Sequence, residues 1–414
     1  MYRVSTNMSN DDMSYWLRMR EHQLNHLDNQ MGSQTRLLNL RDDPIAAAHA
    51  VRFESRITRL NRYQQNVNTV IDTNNVADGY LKSATEIMQR IREIAVQGAN
   101  GTYTKSDLNS MGQEVNQLLN QLVEIANART PDGTALFAGE RDLSLAFRSI
   151  SGVVPGASRE VLTNVAYTGT IGENMVQIGD GSEIPQNIPG NRVFWAEQQQ
   201  IISNINATSY VVQNPSQIAI DGHVINLAAG DNVAAIIAKI NNSGAAVRAS
   251  LDPVKNSLVL STTEAHQLWL RDVSGTALQG LGVISPIGGA PPHNIAADAR
   301  VSGGSLFDMV MALRNDLYQG DSVNIGGASL KGIDEALSNV LSSRAELGAI
   351  NERLKGVSGQ IAYEIPVVQQ ENSRAVDLDV TKAITDLKML EYTHTAALQT
   401  AARILPPTLL DFLR

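Results

Sequence analysis

The sequence contains no cysteine. That one absence excludes disulfides, thiolate metal sites and a cysteine nucleophile together, and it suits a protein that works outside the cytosol without redox help. Aromatic residues are scarce, at 5%. Cores poor in rings must be filled by Leu, Ile, Val, Met and Ala, which favours helix packed on helix. Basic charge is also in deficit. The formal net charge of −9 excludes a general nucleic-acid binder, because phosphate contacts need a basic surface. No run of about 18 apolar residues occurs, so no membrane-spanning helix is expected. The opening residues, Met1-Tyr2-Arg3-Val4-Ser5-Thr6-Asn7, lead into a polar stretch with Asp11 and Asp12 rather than into the apolar core of a signal peptide. If the protein leaves the cell, the expected route does not cleave a signal of that kind.

The length of 414 residues allows two to three domains, and the ends and the middle differ in pattern. Near the N-terminus Leu17, Leu24, Met31 and Leu38 recur every seven residues, with Leu27 in the d register. A break at Asn39-Leu40-Arg41-Asp42-Asp43-Pro44 follows. Asp43 suits an N-cap and Pro44 a first helical position, where its missing N–H has no partner to lose. The helix that starts there places Leu60, Val67, Asn74, Leu81, Met88 and Ala95 at a, with Tyr63, Val70, Ala77, Ala84 and Ile91 at d, a long coiled-coil seam. Asn74 is either a register-fixing polar residue or a tolerated one. Gly98-Ala99-Asn100-Gly101 ends that helix. Thr104 and Asp107 form a capping pair for a further, antiparallel helix with Leu108, Val115 and Leu122 at a and Met111, Leu118 and Ile125 at d, ended by Pro131-Asp132-Gly133.

The C-terminal part mirrors this. Ser305 and Asp308 pair as a cap, and a seam follows at Ile333, Val340, Leu347, Leu354, Ile361, Val368 and Ala375, which Pro366 is expected to kink or interrupt. Asp379 caps a last helix with Val380, Leu387, His394 and Ala401 at a and Ala383, Leu390, Ala397 and Ile404 at d, before Pro406-Pro407. Neither end can bury its stripe alone, so the two ends are expected to pair. The middle reads as β: residues 173–178 and 192–195 as strands, an Asp221-Gly222 hairpin within 217–227, a helix at 233–240, and strands at 247–251 and 257–262. Pro291-Pro292 and Gly303-Gly304 mark the return to the helical stalk.

Catalytic and metal signals are weak. His22 and His26 lie four apart on a helix, a spacing that can hold a metal, but no metalloprotease glutamate or third ligand accompanies them, so they read as exposed polar residues. His394 on a seam reads as a buried or interface histidine. Residues 326–332 contain Gly and Lys but not in phosphate-loop order, and no nucleophile elbow is present. The chain therefore reads as a structural protein and not an enzyme, with no cofactor or metal expected.

Several of these segments resemble the flagellin superfamily. They are Leu40-Arg41-Asp42-Asp43-Pro44-Ile45-Ala46-Ala47-Ala48, Arg90-Ile91-Arg92-Glu93-Ile94-Ala95-Val96-Gln97-Gly98-Ala99-Asn100-Gly101-Thr102, Ala126-Asn127-Ala128-Arg129 with Leu136-Phe137-Ala138-Gly139, residues 344–354, and the closing Leu409-Leu410-Asp411-Phe412-Leu413-Arg414. The elbow Asp42-Asp43-Pro44 and the closing hexapeptide look like the superfamily's hook–filament junction branch, whereas filament flagellins usually continue the Asp pair with an Ala-Gly type sequence. Tyr167-Thr168-Gly169 with 176–180 resembles a β segment of that branch, and 218–281, with Lys239-Ile240-Asn241 and Leu258-Val259-Leu260, resembles an insertion common to flagellins. Met31-Gly32-Ser33 departs from the usual Ser-Ser-Gly before the elbow.

The resemblance implies an α+β fold: a coiled-coil-like stalk made by both ends, with a β-rich middle domain inserted. On that reading residues 1–43 form an inner helix pairing with 376–414, and 44–150 form a rod pairing with 305–375. A β segment at 151–200 attaches to the rod, and 201–304 form an inserted α+β outer domain. The expected assembly interface sets Leu17, Leu24, Met31 and Leu38 near Leu387, Leu390, Ala397 and Ile404. The implied partners are the first hook-associated protein on one side, flagellin on the other, copies of the chain in a ring, and an export chaperone on the C-terminal region. The implied location is the flagellum, extracellular or periplasmic as the flagellum is, after type III export. Rival readings are filament flagellin, an enzyme carried in the middle domain, and a cytosolic coiled-coil scaffold.

Overall fold

The computed structural model describes residues 6–404 apart from Asp142, Ser158 and Gly288; side chains are described for residues 11–402 with the same three omissions. In chain order the elements are α1 (Thr6–Ser33), α2 (Pro44–Ala99), α3 (Lys105–Ala126), β1 (Phe147–Gly152), β2 (Val161–Tyr167), β3 (Met175–Gly179), β4 (Ser182–Pro185), α4 (Gly190–Val193), β5 (Gln200–Asn206), β6 (Ser216–Ile220) and β7 (His223–Leu227). They continue with α5 (Val233–Asn241), β8 (Val247–Leu251), β9 (Ser257–Thr262), β10 (Leu270–Ser274), α6 (Ala277–Gly280), β11 (Arg300–Ser302), α7 (Leu306–Gln319), α8 (Ser322–Asn324), a π turn at Ile325–Ser329, α9 (Leu330–Val376) and α10 (Val380–Ile404). This is an α+β chain with helical ends and a β-rich middle. It forms two compact units, one of residues 1–65 with 358–414 and one of 66–357; α2 and α9 contribute residues to both.

In the larger unit the heptad logic accounts for the helical core. From Val67 to Ala95 every a and d position of α2 is buried, as are Ile333, Val340, Leu347 and Leu354 of α9. Each Val, Leu, Ile or Met among them contributes about 1.5–3 kcal/mol by leaving water. Hydrogen bonds and ion pairs set α2 and α9 antiparallel: Asn74 donates to Asn351 at 3.0 Å, Arg344 meets Asp78 at 2.8 Å, and Arg92 meets Asp334 at 2.6 Å. α3 folds back on α2, with Leu108 beside Gly98 and Glu114 bonded to Arg90 at 2.8 Å. The capping pairs at Thr104/Asp107 and Ser305/Asp308 are both reciprocal boxes.

The buried stripe of α3 is Leu108, Gly112, Val115, Leu119, Leu122 and Ala126, so the expected d positions Met111, Leu118 and Ile125 give way to the residues that follow them. The reason is Gly112. A Cβ there would stand 2.6 Å from the Tyr318 ring, so α3 and α7 approach along the glycine and the contact line rotates by one residue. Aromatics are few but concentrated. Phe137, Phe147, Phe194 and Phe307, four of the chain's six phenylalanines, stack edge and face with Tyr167 where the β segment meets α7, at centroid separations of 5.1–5.8 Å.

Residues 192–195 are not a strand. A helical turn, α4, occupies Gly190–Val193, and Val193 and Phe194 are buried in the same aromatic cluster. A short apolar run is compatible with either state, and burial decided this one. The remaining β expectations match in kind. β6 and β7 pair around Asp221 (φ 49°) and Gly222 (φ 83°), the positive-φ pair that a two-residue hairpin requires. A second hydrophobic cluster runs from Ile201 to Ile284. It lies under sheets ordered β10-β6-β7 and β11-β5-β9-β8. The strands leave and rejoin the helical part side by side: β5 pairs with β11, and the Ala196 amide donates to Gly304 O at 3.0 Å.

In the smaller unit α1 and α10 run antiparallel. The ends of α2 and α9 present there are tied by the Arg56–Glu364 ion pair and by Gln64 donating to Ser358 at 2.7 Å. α9 passes through Pro366 without interruption. Proline removes one i→i−4 donor, which leaves the carbonyl of Ala362 without its partner. Both Ala362 and Pro366 are exposed, so water can serve that carbonyl.

Candidate assembly surface

The elbow that follows α1 is a dense polar knot. Thr35 bridges to Asp377, the Arg36 amide donates to Val376 O at 2.8 Å, and the Leu378 amide donates to Gln34 O at 3.1 Å. The Arg36 guanidinium reaches Ala375 O at 2.9 Å, the C-terminal end of α9, where orphan carbonyls need donors, and also Asp43 at 3.2 Å. Asp43 caps α2 by accepting from the Ala46 amide at 3.0 Å, with Pro44 at the first helical position. Asp42 turns the other way and accepts from the Leu38 and Asn39 amides, each at 2.9 Å, with His26 3.9 Å away. The amide of Asn39, then that of Leu38, holds the Asp42 carboxyl below its ordinary value. The amide of Ala46, then Arg36, does the same for Asp43.

Beyond the elbow, α1 and α10 form a two-helix ribbon. Arg20 donates to Thr393 O at 2.8 Å. Leu17 and Ala397 line one groove, of about 390 Å³, and Leu27 and Leu390 line the next, of about 700 Å³. Leu17, Leu24, Met31, Leu387, Leu390 and Ala397 are only half-buried, while Ala383 and Ala401 are buried. Leu38 is half-buried too but sits in the elbow, past the end of α1. The side chain of Ile404 and the closing 409–414 segment lie outside the described residues.

The ribbon also carries large apolar side chains that the heptad seam omits. Trp16 is 59% exposed, Met389 66% and Tyr392 78%, and Tyr15, Met19, Ile384 and Leu398 are exposed as well. In register they fall at c, e, f and g, positions a seam leaves to polar residues. The signal was present in the sequence as apolar residues on the far side of both terminal helices, an apolar arc wider than one seam. His22 and His26 line the larger groove together with Asp386, but no cluster of three potential metal ligands occurs among the described residues. His394 is half-buried, with its Nδ1 unbonded.

The middle domain holds one polar cluster that the sequence did not advertise. His266 Nε2 lies 3.0 Å from Asp221 Oδ2 and its Nδ1 lies 3.1 Å from Glu264 O, while Asp221 Oδ1 accepts the Trp269 amide at 2.8 Å. His266 thus bridges the Asp221 carboxylate and the Glu264 carbonyl. The cluster fixes the β6–β7 turn against the 264–269 segment. Nearby, burial raises the Glu173 carboxyl above its ordinary value. No described helix is long and apolar enough to cross a membrane.

Comparison with known proteins places three family profiles on the chain in order: the bacterial flagellin N-terminal helical region on residues 4–142, the flagellin hook IN motif on 213–264, and the bacterial flagellin C-terminal helical region on 330–413. It belongs to the flagellin family. Among its relatives, polar flagellin C of Vibrio parahaemolyticus is 24% identical with 97% of each chain covered, and flagellin A of Vibrio anguillarum is 25% identical, again over 97% of each. Flagellin FlaB1 of Treponema pallidum is 34% identical over 27% of this chain and 38% of its own. Among solved structures, a putative flagellar hook-associated protein from Vibrio parahaemolyticus is 16% identical, covers 81% of this chain and 100% of that one, and has a TM-score of 0.48. Flagellar hook-associated protein 3 of Legionella pneumophila is 16% identical, covers 78% and 97%, and has a TM-score of 0.47. In flagellin-family terms the ribbon, elbow and rod are the N- and C-terminal helical regions, and β6–β9 with α5 are the IN motif.

Proposed function

We propose that this chain is the structural adaptor subunit of a bacterial flagellar hook–filament junction, of the FlgL or hook-associated protein 3 type. The observation that carries a structural, assembling role is the terminal ribbon: Trp16, Met389 and Tyr392 are large apolar side chains left more than half exposed on two helices whose seam is itself only half-buried. An apolar face of that kind is costly to leave in water and marks a surface that packs in an assembly. The elbow sequence Asp42-Asp43-Pro44, which resembles the junction branch rather than the filament type, supports the junction reading. On this reading the subunits form a ring with the first hook-associated protein on the hook side and flagellin on the filament side. The chain leaves the cell by the flagellar export route, with a chaperone on its C-terminal region.

Filament flagellin is the second reading, favoured by the end-to-end matches to Vibrio flagellins. Deleting the gene separates the two. Hooks without filaments, with unpolymerised flagellin in the medium, are the expected result. Normal filaments would overturn the junction role, and short or altered filaments would transfer the protein to the filament.

A further inference from the structure

With no cysteine in the chain, methionine carries all of its sulfur. Among the described side chains Met88 is fully shielded and Met311 is 6% exposed, whereas Met19 is 43%, Met175 52% and Met389 66% exposed. Met175 stands apart on β3. Met19 and Met389 line the same groove of about 700 Å³ between α1 and α10, with Leu27 and Leu390 as its apolar walls and His22 and His26 at its side. Among the described residues, the most exposed methionines of the terminal ribbon are therefore gathered on one apolar groove.

We propose that Met19 and Met389 form a methionine-oxidation site at which peroxide-class oxidants disable the packing surface of the terminal ribbon; the second half of this rests on the assembly role given above. In the step itself the thioether sulfur attacks one oxygen of hydrogen peroxide. The O–O bond breaks as the S–O bond forms, and the other oxygen departs as water with both protons. Sulfur is oxidised by two electrons and the peroxide is reduced. The product is a sulfoxide, which turns a flexible apolar side chain into a polar one and disrupts methionine-bearing interfaces. A groove that must go dry against a neighbouring subunit then holds two S–O dipoles where the thioethers met apolar atoms, and burying added polar groups opposes packing. Once the neighbour covers the groove the sulfurs are shielded, so the sensitivity belongs to the unassembled subunit.

The test uses the full-length protein treated with graded hydrogen peroxide, with sulfoxide located by peptide mass spectrometry. Met19 and Met389 should gain oxygen at least about tenfold faster than Met88 and Met311, following exposure. Equal rates would overturn the site. Treated wild type should then fail to join hook-bearing particles prepared from cells lacking the gene, and a methionine sulfoxide reductase should restore joining. A Met19→Leu/Met389→Leu variant, nearly isosteric and inert to peroxide, should join before and after treatment. Unimpaired joining by protein carrying both sulfoxides would overturn the switch. If untreated protein never joins while the oxidation map is as expected, the assembly reading falls and takes the switch with it, but the oxidation site stands.

Discussion

At the scale of single residues, polar groups set the precision of the helical pairs. Asn74 occupies an a position of α2 and meets Asn351 of α9, which also donates to Asn75 at 3.2 Å. Of the two readings open for Asn74, register-fixing has a partner in the structure. Asn74→Ala leaves the Asn351 Oδ1 without its donor, although Asn351 keeps its bond to Asn75, so it should cost about 1–3 kcal/mol, whereas Asn74→Leu with Asn351→Leu should be near neutral or stabilising. Paired denaturant melts of the variants decide this. A double variant as unstable as the single would show that the amide pair itself is the source of stability. The elbow carboxylates give a pH prediction. Asp42 and Asp43 are held below their ordinary value of 3.8 in the folded chain. Depressed acids add stability that is fully present above the unfolded value and is lost as pH falls through the folded one. Acid should therefore loosen the elbow only below the usual carboxylate range, and Asp42→Asn/Asp43→Asn should flatten that acid limb in a pH series of thermal melts. An unchanged limb would locate the acid sensitivity elsewhere.

Among elements, the contrast lies between α3 with α7, whose inner faces are wholly buried, and α1 with α10, whose seam is half-open. Local opening follows burial and exposed backbone hydrogen bonds, so amides of α1 and α10 should exchange faster than those of α3 and α7 in the isolated subunit. Similar protection in both pairs would count against an unfinished ribbon. Periodicity made the long elements legible. The seams of α2 and α9 are written in residues such as Leu81, Met88, Val340 and Leu354, and caps at Asp43, Thr104, Ser305 and Asp379 mark where helices begin. It could not give the α3 register, because that depends on Gly112 meeting Tyr318, two residues far apart in sequence. It could not give α4, because the burial of Val193 and Phe194 depends on Phe137, Phe147 and Phe307. The seam also drew attention away from Trp16, Met389 and Tyr392, since heptad logic describes what one partner helix covers and says nothing of faces kept for other subunits.

For the molecule as a whole, the β-rich middle, residues 201–304, is proposed to be an inserted domain, and removal tests this. Its core, from Ile201 to Ile284, is a cluster of its own. Its entry and exit lie together, since Gln200 pairs with Ser302 and Trp195 with Ser305. A short glycine-serine link from Glu197 to Gly303 has almost no distance to span, so loop closure adds little entropy cost. The domain touches the helical part through the paired bonds between Asn191 and Gln267, through His293 against Tyr167 O at 3.3 Å, and through the half-buried Trp269 side chain, which packs on the helical core. The aromatic cluster of Phe137, Phe147, Phe194 and Phe307 keeps all of its members when the domain is cut away. The shortened protein should therefore remain soluble and helical by circular dichroism. If the terminal ribbon is the assembling part, it should also restore filaments to cells lacking the gene. A soluble, helical product that fails to restore them would assign the middle domain a part in the junction. A product that does not fold would show that the helical core depends on the module, and the division at residues 201–304 would have to be redrawn.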